Sequence, residues 1–208
     1  MATPMEQFTT MVQNKTVSVI GIGVSNRPLV HMLCKAGAIV TARDKNPVEH
    51  PEELETLGVR IVTGEDYLKG LTEELIFKTP GMRFDVPELV KARAQGSTVT
   101  SEMEVFFALC PSSKTIAVTG SDGKTTTTTL IAKMLEAGGH KVFLGGNIGT
   151  PLLPVIDQIT PEEDVYKRQI LHTLSTRNLP GSGPFEYTSI RLNCLDPEKF
   201  EYTAYALD

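Results

Sequence analysis

The sequence predicts an α/β protein, with a Rossmann-like parallel-sheet domain at the N-terminus followed by the start of a second, truncated α/β domain. Two observations support this fold class. Short β-branched runs alternate with amphipathic helical stretches along most of the chain. Two of these runs end in glycine-rich turns, at residues 21–23 and 120–123, and a helical stretch follows each turn. Strand, turn and helix in series are typical of parallel sheets.

The predicted N-terminal domain covers residues 1–111, and strands alternate with helices within it. The strands are predicted at residues 16–20, 38–42, 59–62, 75–78 and 98–100, and the helices at residues 26–36, 51–57 and 86–94. Ser101 is the expected N-cap of a further helix whose first turn is acidic. Residues 111–113, Pro-Ser-Ser, are the expected linker to the second domain.

The turn at residues 21–23 lies where a dinucleotide-binding fold carries its glycine fingerprint, but Asn26 replaces the third glycine. A tight turn without a ligand explains these glycines as well as a ligand contact does. Ligands bind at the carboxyl ends of strands in open α/β sheets, and this position favours a ligand site. Its candidate residues are Val24, Ser25, Asp44 and Lys45. A nicotinamide-dependent oxidoreductase is a weaker alternative, because it rests on two glycines and Asp44 alone.

The predicted second domain, residues 112–163, opens with a strand at residues 115–119 and a helix that ends at Ala137. Between them lies the loop Gly120-Ser121-Asp122-Gly123-Lys124-Thr125-Thr126. The glycines let the backbone approach phosphate groups, while the helix N-terminus and the Lys124 ammonium attract negative charge. Thr125 is the expected Mg²⁺ ligand. The loop therefore predicts a nucleoside triphosphate site. The alternative is an ordinary turn, which has no need of Lys and Thr after its second glycine.

A second glycine-rich turn, Gly145-Gly146-Asn147-Ile148-Gly149, follows a strand predicted at residues 141–144. The Asn147 side chain is a candidate ligand contact, because the turn lies at the carboxyl end of another strand of the same sheet. A simple tight loop explains the glycines equally well.

The composition argues against several classes of function. The chain of 208 residues carries a net charge of -5 without a block of like charge, so we expect no nucleic-acid partner. No apolar run approaches the length of a membrane span, and we expect a cytoplasmic monomer without a membrane partner. The three cysteines are expected to be reduced thiols, and none of the four histidines is assigned to a metal.

Taken together, six segments resemble the Mur ligase family, the ATP-dependent amide ligases of peptidoglycan precursor synthesis. They occur in the family's order and span roughly residues 14–163. The segments are Gly21-Ile22-Gly23-Val24-Ser25, Ala42-Arg43-Asp44-Lys45, Thr79-Pro80-Gly81-Met82, Ser101-Glu102-Met103-Glu104, the loop at residues 120–126, and the turn at residues 145–149.

The resemblance implies an enzyme of three domains, which hold the UDP end of the precursor, ATP, and the incoming amino acid. In that family ATP phosphorylates the precursor's carboxylate, and the amine of the amino acid attacks the acyl phosphate. The resemblance is to members that add D-glutamate to UDP-N-acetylmuramoyl-L-alanine. It implies UDP contacts for Val24, Ser25, Asp44, Lys45 and Gly81, and a precursor contact for Asn147. It also implies contacts to ATP and Mg²⁺ for the loop at residues 120–126, with Lys124 and Thr125 as catalytic residues.

The resemblance is expected to end after Glu163. The family continues into a buried strand and an acidic metal ligand, whereas residues 164–208 show no period of a helix or strand and stay unassigned. One hypothesis is a chimeric join, because residues 164–169 are also the translation of a transposon end used to prepare sequencing libraries. A divergent natural tail is the alternative. We expect the chain to be inactive alone, and the alternatives are a non-catalytic nucleotide- or UDP-sugar-binding fragment and a Mur ligase that adds another amino acid.

Overall fold

The computed structural model describes residues 2–23, 26–112, 115–118, 123–146, 151–160, 164–168, 188–192 and 202–206. The chain divides into two compact units. The first unit comprises residues 1–109 together with residues 153–157, and the second comprises residues 110–152 and 158–208. The sequence had placed residues 153–157 in the second domain, whereas this segment packs with the first unit.

The first unit is built on a five-stranded parallel sheet in the order β3-β2-β1-β4-β5. Its strands are β1 (Thr16–Ile20), β2 (Ile39–Asp44), β3 (Arg60–Thr63), β4 (Leu75–Phe77) and β5 (Thr98–Thr100). The chain runs outward from β1 to β3 and then crosses to β4 on the other side of β1. The strand order therefore reverses between β1 and β4, and their carboxyl ends border the crevice in which open α/β sheets bind ligands.

Five helices accompany this sheet: α1 (Pro4–Val12), α2 (Asn26–Lys35), α3 (Pro51–Thr56), α4 (Pro87–Ala94) and α5 (Glu102–Leu109). The predicted parallel α/β fold is confirmed, and α2 to α5 match the predicted helices. Helix α1 was not predicted, although Thr3 and Glu6 form a capping box at its start. The Thr3 hydroxyl accepts from the Glu6 N–H at 3.2 Å, and the Glu6 carboxylate accepts from the Thr3 N–H at 2.8 Å.

The core of the first unit lies on both faces of the central strand β1. Val17, Val19 and Ile20 of this strand are fully buried, as parallel strands covered by helices require. On one face, Ile20 and Ile76 pack with Leu89 and Ala92 of α4 and with Leu71. This packing fixes the ends of β1 and β4, where the crevice opens.

A 3-10 helix at Leu153–Gln158 is tied to α1 and α5 of the first unit through carboxylates. The Asp157 carboxylate accepts hydrogen bonds from the Met5 N–H at 2.9 Å and the Thr3 hydroxyl at 3.3 Å. The Glu102 carboxylate accepts one from the Leu153 N–H at 3.0 Å. Because Leu153 and Ile156 are also fully buried, the segment is an integral part of this unit.

The second unit contains a three-stranded parallel sheet in the order β6-β8-β7, with the helix α6 (Lys124–Ala137) following β6. Its strands are β6 (Thr115–Val118), β7 (Val142–Gly146) and β8 (Asp164–Arg168). A separate antiparallel pair is formed by β9 (Thr188–Leu192) and β10 (Tyr202–Ala206). The predicted strand before residue 120, the helix to Ala137 and the strand near residues 141–144 are confirmed.

Residues 164–208, which the sequence left unassigned, contain the strands β8, β9 and β10. Strand β8 lies between β6 and β7, and it pairs with β7 along its whole length and with β6 from Val165 to Arg168. Strands between two parallel neighbours are usually continuous apolar runs, and the sequence Asp-Val-Tyr-Lys-Arg of β8 is not one. Its two pairing partners, rather than its own hydrophobic pattern, define this strand. Among the described residues, no helix is long and apolar enough to cross a bilayer.

Within the first unit, a buried ion pair between Arg43 of β2 and Glu73 fixes the segment that precedes β4. An Arg43 guanidinium nitrogen lies 2.8 Å from Glu73 Oε1, and the two side chains are only 5% and 10% exposed. The guanidinium also donates to the carbonyl oxygens of Tyr67 and Lys69, each at 3.1 Å. Burial alone would raise the pKa of Glu73, but the hydrogen bond from Arg43 and backbone N–H groups outweigh it and hold the pKa below its ordinary value.

We expect this pair to make the chain sensitive to acid. The Glu73 pKa is depressed in the folded state, so its contribution to stability is present above the ordinary glutamate pKa and is lost as the pH falls through the folded-state value. Urea unfolding from about pH 7 to about pH 3 should therefore show a steeper loss of unfolding free energy for the wild type than for Glu73→Gln. Equal slopes for the two proteins would contradict the assignment.

Candidate functional site

The turn after β1 brings the backbone close to the segment after β4. Gly21 has a φ of +81°, and a Cβ placed on it would lie 3.0 Å from the Cβ of Thr79. The Gly21 N–H also donates to the carbonyl oxygen of Arg43 at 2.7 Å, which ties the turn to β2. The backbone conformation and the close contact both require glycine here.

Asp44, at the carboxyl end of β2, joins two turns of the crevice. One carboxylate oxygen accepts the Ile22 N–H at 2.7 Å, and the other accepts the Asn46 N–H at 2.8 Å. A carboxylate offers about four lone-pair sites, so each oxygen retains acceptor capacity for a ligand. Asp44 is therefore both a brace of the crevice and an available acceptor.

Asn26, which stands in place of the third glycine of the dinucleotide fingerprint, closes the turn from the start of α2. Its buried side-chain amide donates to the carbonyl oxygen of Gly21 at 2.8 Å and to that of Ile20 at 3.2 Å. Glycine has no side chain that could make these bonds. Asn26 in place of the third glycine therefore has a structural role in this turn. For this reason the spacing of the glycines alone could not distinguish a ligand contact from a tight turn.

A cavity of about 840 Å³ opens beside this turn, between α2 and the segment that follows β2. The volume is within the range of small-molecule sites. The lining is mostly apolar, with a few polar side chains, and consists of Ile22, Gly23, Arg27, Pro28, His31, Met32, Asp44, Asn46, Pro47, Val48, Glu49 and Pro154. The cavity can therefore hold a flat or apolar group while the polar side chains orient it.

Sequence reasoning missed most of this lining. Pro28, His31 and Met32 follow one another at helical spacing on α2, which places them on one face of the helix. The loop after β2 forms the opposite wall, and Arg27 of α2 fixes it in place. Its guanidinium pairs with Glu53 at 2.6 Å and donates to the carbonyl oxygens of Glu49 and His50. The helical spacing was a signal available in the sequence, whereas the contacts of Arg27 depend on a loop beyond β2.

The five residues predicted to contact UDP do not all lie at the cavity. Val24 and Ser25 lie outside the described residues. Asp44 lines the cavity, but Lys45 and Gly81 do not. Lys45 is exposed, and its ammonium lies 3.3 Å from a carboxylate oxygen of Glu65. The roles of all five residues stay predictions.

In the second unit, the start of α6 has the features that phosphate binding needs. Gly123 is the N-cap residue, with a φ of +69°, and no atom of the described residues lies within 4 Å of a Cβ placed on it. Thr125 and Thr126 are exposed in the first turn. The Thr128 hydroxyl donates to the Lys124 carbonyl oxygen at 2.6 Å, so one residue of the threonine run supports the helix from within.

The remaining predicted residues of this site, Gly120, Ser121, Asp122 and Asn147, lie outside the described residues. An open glycine followed by exposed hydroxyls at a helix N-terminus fits a phosphate group. For Mg²⁺, the described donor is the Thr125 hydroxyl. In the part of the chain that the structure describes, no group of three or more His, Cys, Asp or Glu side chains could hold a metal ion.

Two neighbouring glycines of the crevice provide a matched test. We expect Gly21→Ala to lower the unfolding free energy by about 2–3 kcal/mol, because it strains the backbone and crowds Thr79. Gly23→Ala should change it by no more than about 0.5 kcal/mol, since a Cβ there meets no atom of the described residues within 4 Å. If a ligand approaches the backbone at Gly23, this second variant should nevertheless weaken UDP binding about tenfold or more. Urea unfolding and calorimetry measure the two effects, and unchanged UDP affinity in Gly23→Ala would contradict the close approach.

Comparison with known proteins gives the family. Residues 118–178 match the Mur ligase middle domain. The UDP-N-acetylmuramoylalanine--D-glutamate ligase of Ruminiclostridium cellulolyticum is 54% identical over 166 residues, which cover 77% of this chain and 36% of that protein. The ligase of the same name from Clostridium kluyveri is 46% identical over 179 residues, which cover 84% of this chain and 39% of that protein. Over these residues, the chain is similar to ligases of the Mur family.

The chain spans little more than a third of the length of the relatives it matches. The match to the middle domain runs to residue 178, past residue 163, and includes β8. Among solved structures, a murein peptide ligase from Psychrobacter arcticus aligns with a TM-score of 0.42 and 21% identity, over 75% of this chain and 37% of that chain.

Proposed function

We propose that the first unit binds the UDP end of UDP-N-acetylmuramoyl-L-alanine, and that the chain is the precursor- and ATP-binding part of a ligase that adds D-glutamate. The cavity at the carboxyl ends of β1 and β2 carries this proposal, because Gly23 and Asp44 line it together. The names of the relatives at 46% to 54% identity support the choice of substrate class.

The cavity suits a uridine. A pyrimidine ring is flat and can pack against the apolar lining, which includes Ile22, Pro47 and Val48. Its N–H group needs an acceptor, and the Asp44 carboxylate has acceptor capacity beyond its two backbone hydrogen bonds. The exposed backbone at Gly23 leaves room for the phosphate groups that follow the ribose.

In the second unit, Gly123, Lys124, Thr125 and Thr126 would hold the phosphates of ATP, with Mg²⁺ at the Thr125 hydroxyl. The metal ion would neutralise phosphate charge, which is its general part in phosphoryl transfer. The Lys124 ammonium and the N–H groups of the first turn of α6 orient and stabilise the same charge. In the complete reaction, ATP transfers its terminal phosphoryl group to the precursor carboxylate, and ADP is released. The amine of D-glutamate then displaces phosphate and forms the amide.

Calorimetry on the full chain tests this assignment. We expect UDP-N-acetylmuramoyl-L-alanine to bind to the wild type and to Lys124→Ala with equal affinity, because the cavity and α6 belong to different units. Mg-ATP should bind to the wild type alone. Lack of precursor binding by a protein whose circular dichroism spectrum shows a folded state would overturn the proposal.

A non-catalytic nucleotide- or UDP-sugar-binding fragment is the second candidate, because the chain covers 36% to 39% of its relatives. Phosphate release in the presence of precursor, Mg-ATP and D-glutamate distinguishes the two candidates. Binding of both ligands without phosphate release identifies the fragment. Phosphate release with another amino acid in place of D-glutamate identifies a Mur ligase of different specificity.

A further inference from the structure

Lys78, the residue directly after β4, is a buried lysine whose ammonium has no anionic partner among the described residues. The residue is 4% exposed. Across the described parts of the chain, its ammonium makes neither an ion pair nor a hydrogen bond, and it lies over the Phe84 ring, 4.4 Å from the centroid. Burial lowers the pKa of Lys78, and the charge of Glu104 opposes this only in part. A buried charge without a partner is costly to keep in a protein.

The neighbouring carboxylate does not supply the missing partner. Glu104 accepts hydrogen bonds from the hydroxyls of Thr100 and Ser101, at 3.2 Å and 3.0 Å, and makes no ion pair with Lys78. The position of the Phe84 ring does not depend on Lys78 either. Arg93 lies over the same ring at 5.9 Å and donates to the Phe84 carbonyl oxygen at 2.7 Å. A purely structural role leaves this largely desolvated, unpaired ammonium unexplained.

The position of Lys78 indicates which anion it could meet. Strand β4 borders β1 at the reversal of the strand order, and Thr79, the next residue, contacts the Gly21 turn. The cavity proposed for the uridine lies at the ends of β1 and β2, on the other side of β1. From β2 to β4 is two strand spacings, about 9–10 Å, which a nucleoside diphosphate can span.

We propose that the Lys78 ammonium pairs with the diphosphate of a UDP-containing ligand that crosses β1 from the uridine cavity. This inference rests on the function proposed above and assigns a further binding residue to it. The ligand anion provides the partner that the described residues lack, and the partly desolvated surroundings make the pair stronger than one at an exposed surface.

The test compares UDP with uridine, which has no phosphate, by calorimetry on the full chain. In the wild type, UDP should bind at least about tenfold more tightly than uridine. Lys78→Met keeps the length of the side chain but removes its charge, and it should weaken UDP binding about tenfold or more without changing uridine binding. Lys78→Arg should retain most of the UDP affinity. Lys91→Met, which removes an exposed lysine from α4, is the control and should change neither.

Thermal unfolding separates this role from a structural one. Lys78→Met should raise the midpoint, because an apolar side chain replaces an unpaired buried charge. A lowered midpoint together with an unchanged ratio of UDP to uridine affinity would show that Lys78 only packs against Phe84, and would overturn the inference. Equal affinity of the wild type for UDP and uridine would overturn the inference as well, but it would not contradict the proposal that uridine binds in the cavity. Binding of neither ligand would overturn the proposed function too.

Discussion

Replacing Lys124 with alanine should abolish Mg-ATP binding while leaving the first unit intact. Lys124 is the first residue of α6 and supplies the only full positive charge in the described first turn. The helix dipole alone contributes about 0.3–1 kcal/mol to the binding of an anion. Loss of the charge-assisted contacts should therefore weaken ATP binding by about a hundredfold or more. Calorimetric titration of Mg-ATP into the variant measures this effect.

Lys133→Ala is the matched control for this prediction. Lys133 is an exposed lysine on the same helix, two turns further along, and its loss removes the same charge without touching the start of α6. ATP affinity in this variant should equal that of the wild type. If Lys124→Ala and Lys133→Ala bind ATP equally well, the start of α6 is not the phosphate site.

Replacing Arg43 with methionine should produce the largest loss of stability of any single substitution considered for the first unit. It removes the partner of the buried Glu73 carboxylate and the donors to the Tyr67 and Lys69 carbonyl oxygens. Removal of one member of a buried ion pair costs about 3–5 kcal/mol, because the other charge stays buried without compensation. Urea unfolding followed by circular dichroism measures the change in unfolding free energy.

The double variant Arg43→Met/Glu73→Leu should recover much of this loss, since an apolar pair of similar size leaves no charge behind. Arg83→Met is the surface control. Arg83 pairs with Asp85, but both side chains are more than 60% exposed, so this change should leave the unfolding free energy nearly unchanged. A loss of similar size in Arg43→Met and Arg83→Met would contradict the special role given to the buried pair.

The sequence predicts local features of this fold well. The strands of the first sheet are short apolar or β-branched runs, and the helices between them begin at Pro or capping residues, so both are visible in local patterns. Helix α1 had a local signal too, the spacing of Thr3 and Glu6, which was overlooked. Strand β8 had none, because its place between β6 and β7 is decided by pairing with residues far away in the sequence.

In the candidate site, too, some features have a local signal in the sequence and others depend on distant residues. Asp44 was predicted from its place after a strand and lines the cavity. The place of Pro154 in that cavity depends on two hydrogen bonds of its 3-10 helix, from the Met5 N–H to Asp157 and from the Leu153 N–H to Glu102. The partners in each bond are at least 50 residues apart along the chain. The ring of Phe84 and the charge of Glu104 likewise come close to Lys78 only in the folded structure. Such long-range contacts leave no periodic signal in the sequence.

The central claim is that the UDP end of a precursor binds in the cavity beside β1. The most direct test is a titration of the ¹⁵N-labelled chain with UDP-N-acetylmuramoyl-L-alanine, followed by amide chemical shifts. We expect the largest changes at Ile22, Gly23 and Asn46, whose backbones surround Asp44. The amides of Thr125 and Thr126 should respond to Mg-ATP instead. Precursor-induced changes that leave the cavity amides unmoved, or equal changes with NADH in place of the precursor, would contradict the account.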